Sequence, residues 1–113
     1  MAVNLSAPRD VLDVPGIRLG TAASGLKASD DVVVAHLDPQ ARVAGVYTQS
    51  SFAAAPVLLA RERQENCQAW VINSGNANAA TGEPGKQDAH KICEAVAELL
   101  SIDTHHVQPF STG

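Results

Sequence analysis

Aromatic side chains are almost missing from this sequence. Tyr47, Phe52, Trp70 and Phe110 are the whole complement in 113 residues, so any core must be built from Val, Leu, Ile and Ala. Positive charge is thin as well: eight Lys and Arg against twelve Asp and Glu leave a formal charge of −4, and only Arg61 and Arg63 stand close together. Without a basic face to neutralise phosphates, nucleic acid is excluded as a partner. No apolar run approaches the ~18 residues that a membrane-spanning helix needs. The first ten residues also lack the basic start and apolar centre of a secretory signal. Cys67 and Cys93 are too few for a disulfide framework and form no Cys-x-x-Cys, which points to a reduced, cytoplasmic setting.

What is present is the material of one modest α+β domain. Hydrophobic content of 45% with 18% charged residues is ordinary for a globular chain, and a chain of this length buries ~65% of its extended surface. Residues 1–15 read as an irregular arm closed by the turn pair Pro15-Gly16. Alternation of apolar and polar residues predicts a half-buried strand over 17–22, and a β-branched run predicts a more enclosed one over 31–37. After the turn at Asp38-Pro39-Gln40, residues 42–48 read as a third strand returning as an antiparallel hairpin. Pro56 suits the first turn of a helix that continues through Gln64, and 67–72 reads as a fourth strand. Over 84–101, Ala89, Ile92, Cys93, Val96, Leu99 and Leu100 recur with helical period and form one apolar face. The tail, 107–113, reads as an extended segment entering a turn. The pattern as a whole predicts a mixed sheet covered by helices.

Two stretches carry chemistry. Asn73-Ser74-Gly75-Asn76-Ala77-Asn78-Ala79-Ala80-Thr81-Gly82 lies between a predicted strand and the long helix. Its small residues let backbone N–H groups face a ligand, and its amides both donate and accept. Three asparagines exceed what a turn requires, though a decorated turn and a site loop both fit. The second stretch is Ser111-Thr112-Gly113. A hydroxyl residue followed by glycine can aim an O–H and a backbone N–H at one point, the arrangement of an oxyanion hole. Taken alone, that tripeptide reads as a turn.

Other features have plain readings. Thr81-Gly82-Glu83-Pro84-Gly85-Lys86-Gln87 superficially resembles a phosphate loop, but Ala80 stands where the leading glycine belongs and Gln87 where the magnesium-binding hydroxyl belongs. His105 and His106, adjacent in an extended stretch, read as a solvated pair, and His90 as a solvated residue on the polar side of its helix. His36 reads as an interior or edge residue, Asp30-Asp31 as a turn, and Cys93 as a small core hydrophobe. No set of metal ligands is apparent.

The blocks Pro15-Gly16-Ile17-Arg18-Leu19-Gly20, Ala44-Gly45-Val46-Tyr47-Thr48-Gln49, the asparagine stretch and Pro109-Phe110-Ser111-Thr112-Gly113, with Phe52-Ala53-Ala54-Ala55-Pro56-Val57 between the second and third, occur in one order. Together they resemble the ornithine acetyltransferase family, the bifunctional glutamate N-acetyltransferase/amino-acid acetyltransferase of arginine biosynthesis. The resemblance implies a precursor that cleaves itself before a threonine, whose hydroxyl then carries acetyl from N2-acetylornithine (or acetyl-CoA, as a substrate) to glutamate. It implies no metal and no bound cofactor. It also implies a fold like that of N-terminal nucleophile enzymes, an αββα sandwich of which this chain is part, with a mixed sheet and helices on one face.

By the same resemblance Thr112 gives the hydroxyl donor and Gly113 the backbone N–H of the oxyanion hole. Composition adds Asn73, Asn76 and Asn78 as a loop shaping the site nearby. The self-cleaving Ala-Thr of the family falls downstream of its Thr-Gly, and Ala80-Thr81 lies inside the asparagine stretch. Residues 1–113 therefore read as a single truncated N-terminal domain, inactive alone. Its expected partners are the small-molecule substrates and the remainder of its precursor, the beta chain, in a hetero-oligomer of cleaved chains. Two other readings stay open: an aminopeptidase or amidase of similar architecture that gives the acyl group to water, and a standalone binding or regulatory module.

Overall fold

The computed structural model describes Asp10 and residues 13–25 and 27–113, so most of the arm read over 1–15 lies outside the described residues. Four strands form one sheet in the order in which they occur: β1 (Ile17–Ala22), β2 (Val32–Leu37), β3 (Ala69–Ser74) and β4 (Val107–Thr112). β1 and β2 pair antiparallel, as do β2 and β3, whereas β3 and β4 pair parallel, which makes the sheet mixed. A parallel pair needs a crossover, and α2 (Gly82–Leu100) provides it. The shorter helix α1 (Ala55–Glu62) begins with Pro56 in its first turn and packs against β4 and α2.

The core lies between α2 and one face of the sheet. Ala69, Val71 and Val107 meet Cys93, Val96 and Ala97, with Val32, Val34, Leu100 and Ile102 around them. Alternation along each strand puts the remaining strand residues on the opposite face. There Ala35 and Leu37 are buried, yet Leu19 is 58% exposed and Phe110 36%. Trp70 meets Phe110 edge-on, with ring centroids 6.4 Å apart. The same face carries Gln108, which is fully enclosed. Its amide donates to Tyr47 Oη (3.0 Å) and Ala60 O (2.7 Å) and accepts from Trp70 Nε1 (3.0 Å), so a buried polar side chain leaves no bond unmade.

Three sequence readings are corrected. Residues 42–48 form no strand and no hairpin. Both edges of β2 are already occupied, by β1 and by β3, so no backbone ladder remains there for a returning segment. Tyr47 and Thr48 instead tie the stretch to α1, through Tyr47 Oη to Ala60 O and Arg61 Nη2 to Thr48 O. Second, the apolar face of α2 is rotated from the predicted one. Ile92 (40%) and Leu99 (84%) are exposed, while Gly85, Ala89, Cys93, Val96 and Ala97 point inward. Third, His90 is not merely solvated. Its Nδ1 lies 2.7 Å from Nη2 of the buried Arg63. Because a guanidinium can only donate, Nδ1 accepts and the ring hydrogen sits on Nε2, which faces Glu94 Oε1 at 3.3 Å.

Candidate functional site

The parallel pairing of β3 with β4 brings the two chemistry-bearing stretches together. Asn73 is the register partner of Ser111, and Ser74 of Thr112, so the asparagine stretch and the Ser-Thr-Gly leave the sheet side by side at the carboxyl ends of parallel strands. Ligand sites favour that position, because loops diverge there and expose backbone groups. The Gly75 N–H donates to Thr112 O at 2.9 Å and carries the pairing one residue past the end of β3.

Beyond Gly75 the chain folds back on itself through left-handed conformations at Gly75 (φ +106°), Asn78 (+54°), Ala80 (+54°) and Gly82 (+61°). Two of these are not glycine, and side-chain bonds hold them. Asn76 Oδ1 accepts from the Asn78 N–H (3.0 Å), and Thr81 Oγ1 donates to Asn78 O (3.1 Å). The loop enters α2 over Gly85, where a Cβ would collide with the Thr81 side chain, so only glycine leaves room for that threonine.

The asparagines spend most of their bonds on the protein itself. Asn73 Nδ2 donates to Asn76 O (3.1 Å), and its Oδ1 accepts from Ser111 Oγ (2.5 Å). Asn78 Nδ2 in turn donates to Ser111 Oγ at 2.8 Å. Ser111 is thus a hub that bolts the loop to β4. Strand alternation puts Asn73 and Ser111 on the α2 face, beside a cavity of about 320 Å³ lined by Ser24, Val71, Asn73, Asn76, Asn78 and Ile92. Ser74 and Thr112 point to the opposite, open face. The amides therefore brace the end of β4 from behind.

At that end Thr112 and Gly113 are exposed. Among the described residues neither the Thr112 hydroxyl nor the Gly113 N–H has a protein partner. Two adjacent free donors, an O–H and an N–H, are what a developing negative oxygen requires. Among the described residues no group of three His, Cys, Asp or Glu could hold a metal ion, and no helix is long and apolar enough to cross a membrane.

Sequence reasoning passed over a neighbouring structure. Asp31, read as part of a turn, is 3% exposed and organises the loop before β2. Its carboxylate accepts from the Ser24 N–H (2.5 Å), Ser24 Oγ (2.8 Å) and the Lys27 N–H (3.2 Å), and its backbone O accepts from the Ser74 N–H (2.8 Å). Lys27 Nζ then reaches Ser74 Oγ at 2.5 Å. The only signal in the sequence is an Asp immediately before a β-branched strand, which is too common to single out.

The model of the ArgJ family matches residues 18–113. Arginine biosynthesis bifunctional protein ArgJ of Pseudomonas syringae pv. tomato is 44% identical over 116 residues, which takes in 100% of this chain and 29% of that protein. The Methylococcus capsulatus protein of the same name is 47% identical over 113 residues, 97% of this chain and 28% of its own length. The chain thus spans under a third of the curated relatives it matches. Among solved structures, arginine biosynthesis bifunctional protein argJ from Bacillus halodurans superposes with a TM-score of 0.81 at 33% identity, over 88% of this chain and 54% of that one. Ornithine acetyltransferase from Mycobacterium tuberculosis, solved in complex with ornithine, gives 0.81 at 35% identity over 88% and 56%.

Proposed function

This chain belongs to the ArgJ family, and from that premise we propose that it contributes the oxyanion-binding part of an acetyl-transfer enzyme of arginine biosynthesis. Acetyl would move from N2-acetylornithine, or from acetyl-CoA, to glutamate through an acetyl-threonine intermediate. One observation carries the reading: the unpartnered Thr112 hydroxyl and Gly113 N–H stand together at the end of β4, held by the Ser111–asparagine network behind them.

In the first half-reaction a threonine hydroxyl attacks the acetyl carbonyl carbon of N2-acetylornithine. The carbonyl electron pair moves onto oxygen, which takes hydrogen bonds from Thr112 and Gly113. Collapse breaks the carbon–nitrogen bond, and the proton lost by the hydroxyl leaves on the ornithine amine. In the second half-reaction the glutamate amine attacks the acetyl ester, the same donors receive the same oxygen, and threonine departs with a proton. Splitting one transfer into two lowers each barrier.

The nucleophile belongs to the part of the protein that this chain does not span. The remainder of the precursor, as the cleaved beta chain, would stack on the open face beside Leu19 and Phe110 and complete an αββα sandwich in the cytoplasm. Asn73, Asn76 and Asn78 shape the site by fixing the strand end from the α2 face. The test is acetyl exchange between N2-acetylornithine and glutamate by the full-length precursor. Thr112→Ala should lower kcat by ~10²–10³, about 2.7–4 kcal/mol of barrier, in material cleaved to the same extent, and Thr112→Ser should retain most of the rate. The 113-residue chain alone should show no exchange. Undiminished turnover by Thr112→Ala would overturn the reading.

A further inference from the structure

The two donors of the proposed oxyanion hole are held in different ways. The Thr112 hydroxyl follows its strand, because alternation turns that side chain to the open face. The Gly113 N–H has no side chain to fix it. Its direction is that of the Thr112–Gly113 peptide plane, and the hydrogen bonds of the Ser111 clamp end one residue earlier. Nothing in residue 113 itself resists rotation of that plane.

One bond does. Among the described residues, the hydrogen bond from the Gly75 N–H to Thr112 O (2.9 Å) is the only one made to this peptide. No described peptide bond is cis, and in a trans peptide the C=O and N–H point in opposite directions. With Thr112 O turned toward β3, the Gly113 N–H is turned away from it, to the edge of β4 that no other strand of the sheet covers. The oxygen that both donors serve therefore belongs at the corner where that edge meets the open face. A carbonyl that accepts a hydrogen bond also polarises its peptide, which makes the N–H at the far end a better donor.

Gly75 is itself anchored from the strand side. Ser74 donates its N–H to Asp31 O (2.8 Å), and its hydroxyl accepts from Lys27 Nζ (2.5 Å), so β3 is pinned up to the point where the chain turns away. The turn takes φ +106° at Gly75, which strains any L side chain. A Cβ there would stand 3.1 Å from Lys27 Cε, a flexible end that can give way, so backbone angle rather than space demands glycine. We infer that Gly75 is a positioning residue for acetyl transfer: its N–H, through the Thr112 carbonyl, sets the direction and the donor strength of the Gly113 N–H. The inference rests on the acetyl-transfer reading for the identity of the oxygen those donors receive.

The test uses the full-length precursor with Gly75→Ala, Gly75→Asn and, as a control at the other end of the sheet, Gly16→Ala. Gly16 also has a positive φ (+87°), so alanine there brings backbone strain of the same kind far from β4. In material cleaved to the same extent, Gly75→Ala should lower kcat ~10–100-fold, the scale of a group misplaced by about 1 Å, with KM for N2-acetylornithine near the parent value. Gly75→Asn should recover part of the rate, because asparagine tolerates positive φ better than alanine. Gly16→Ala should lower the melting temperature and leave kcat unchanged. A second readout is the infrared carbonyl band of the acetyl-enzyme, formed from N2-acetylornithine isotope-labelled in its acetyl carbonyl. Hydrogen bonds from the two donors hold that band at low frequency; it should rise in Gly75→Ala and stay in place in Gly16→Ala. An unmoved band, or equal kcat for Gly75→Ala and Gly16→Ala, would overturn the inference while leaving acetyl transfer intact. If Gly75→Ala does not mature, Gly75→Asn carries the same test with a smaller rise of the band. Full turnover by Thr112→Ala would instead overturn the oxyanion reading on which the inference rests.

Discussion

Ser111 and Asn73 face one another across the parallel strands β4 and β3, and the Ser111 hydroxyl donates to Asn73 Oδ1 at 2.5 Å. The same oxygen accepts from Asn78 Nδ2 at 2.8 Å, so one hydroxyl joins the two ends of the asparagine loop to the strand that presents Thr112. The serine of the Ser-Thr-Gly is a clamp on the α2 face. The threonine beside it, by strand alternation, is turned the other way.

Ser111→Ala removes that clamp. It leaves Asn73 Oδ1 and Asn78 Nδ2 without their partner in a half-buried place, which costs about 1–3 kcal/mol. The expected signature is local: faster amide hydrogen exchange across 75–81 and a modest fall in melting temperature, with α2 beyond its first turn unaffected. Exchange in the loop equal to that of the parent would show that the hydroxyl does not hold it.

The division between legible and illegible features follows the range of the forces involved. β2 and α2 were readable because a β-branched run and a helical period are local properties. Pairing is not local. Nothing in 42–48 announces that β3, more than twenty positions further on, takes the edge of β2. The exposure of Ile92 and Leu99 has the same origin, since a helix with more apolar residues than one face can hold is oriented by the partners it meets. The Thr112–Gly113 pair was named from family resemblance, and its role is what we propose. The bond from Lys27 to Ser74 was not legible, because the fold alone brings those two residues together.

Arg63 supports a second prediction. Only 5% exposed, it spans Thr104 O (3.2 Å), Val107 O (3.1 Å) and His90 Nδ1 (2.7 Å), tying the end of α1 to α2 and to the start of β4. A planar fork reaches three acceptors that an ammonium on a flexible stem cannot reach together. Arg63→Lys keeps the charge and should still cost about 1.5–3 kcal/mol, read as a lower denaturation midpoint in urea. Arg61→Lys, at an exposed site with one bond to Thr48 O, is the control and should stay within about 0.5 kcal/mol. Equal effects at the two positions would show that the enclosed fork has no special role.

The cysteines give a prediction in pH. Burial raises the thiol pKa of Cys67 above its ordinary value of 9.0, partly offset by hydrogen bonding with the backbone of Ala69 and Gln108. Burial raises that of Cys93 too, against the opposing charge of Arg63. A thiol whose pKa is higher folded than unfolded contributes stability that is complete below the unfolded value. As pH rises past about 9 the unfolded chain ionises first, and that contribution is lost. Near neutral pH a water-soluble disulfide reagent should therefore label neither cysteine in the folded protein and both in denaturant. Above that range the parent should lose stability with pH more steeply than the Cys67→Ala/Cys93→Ala double variant, whose cavity cost does not depend on pH. Rapid labelling of the native protein, or parallel slopes for parent and variant, would show that these thiols are not enclosed in the folded chain.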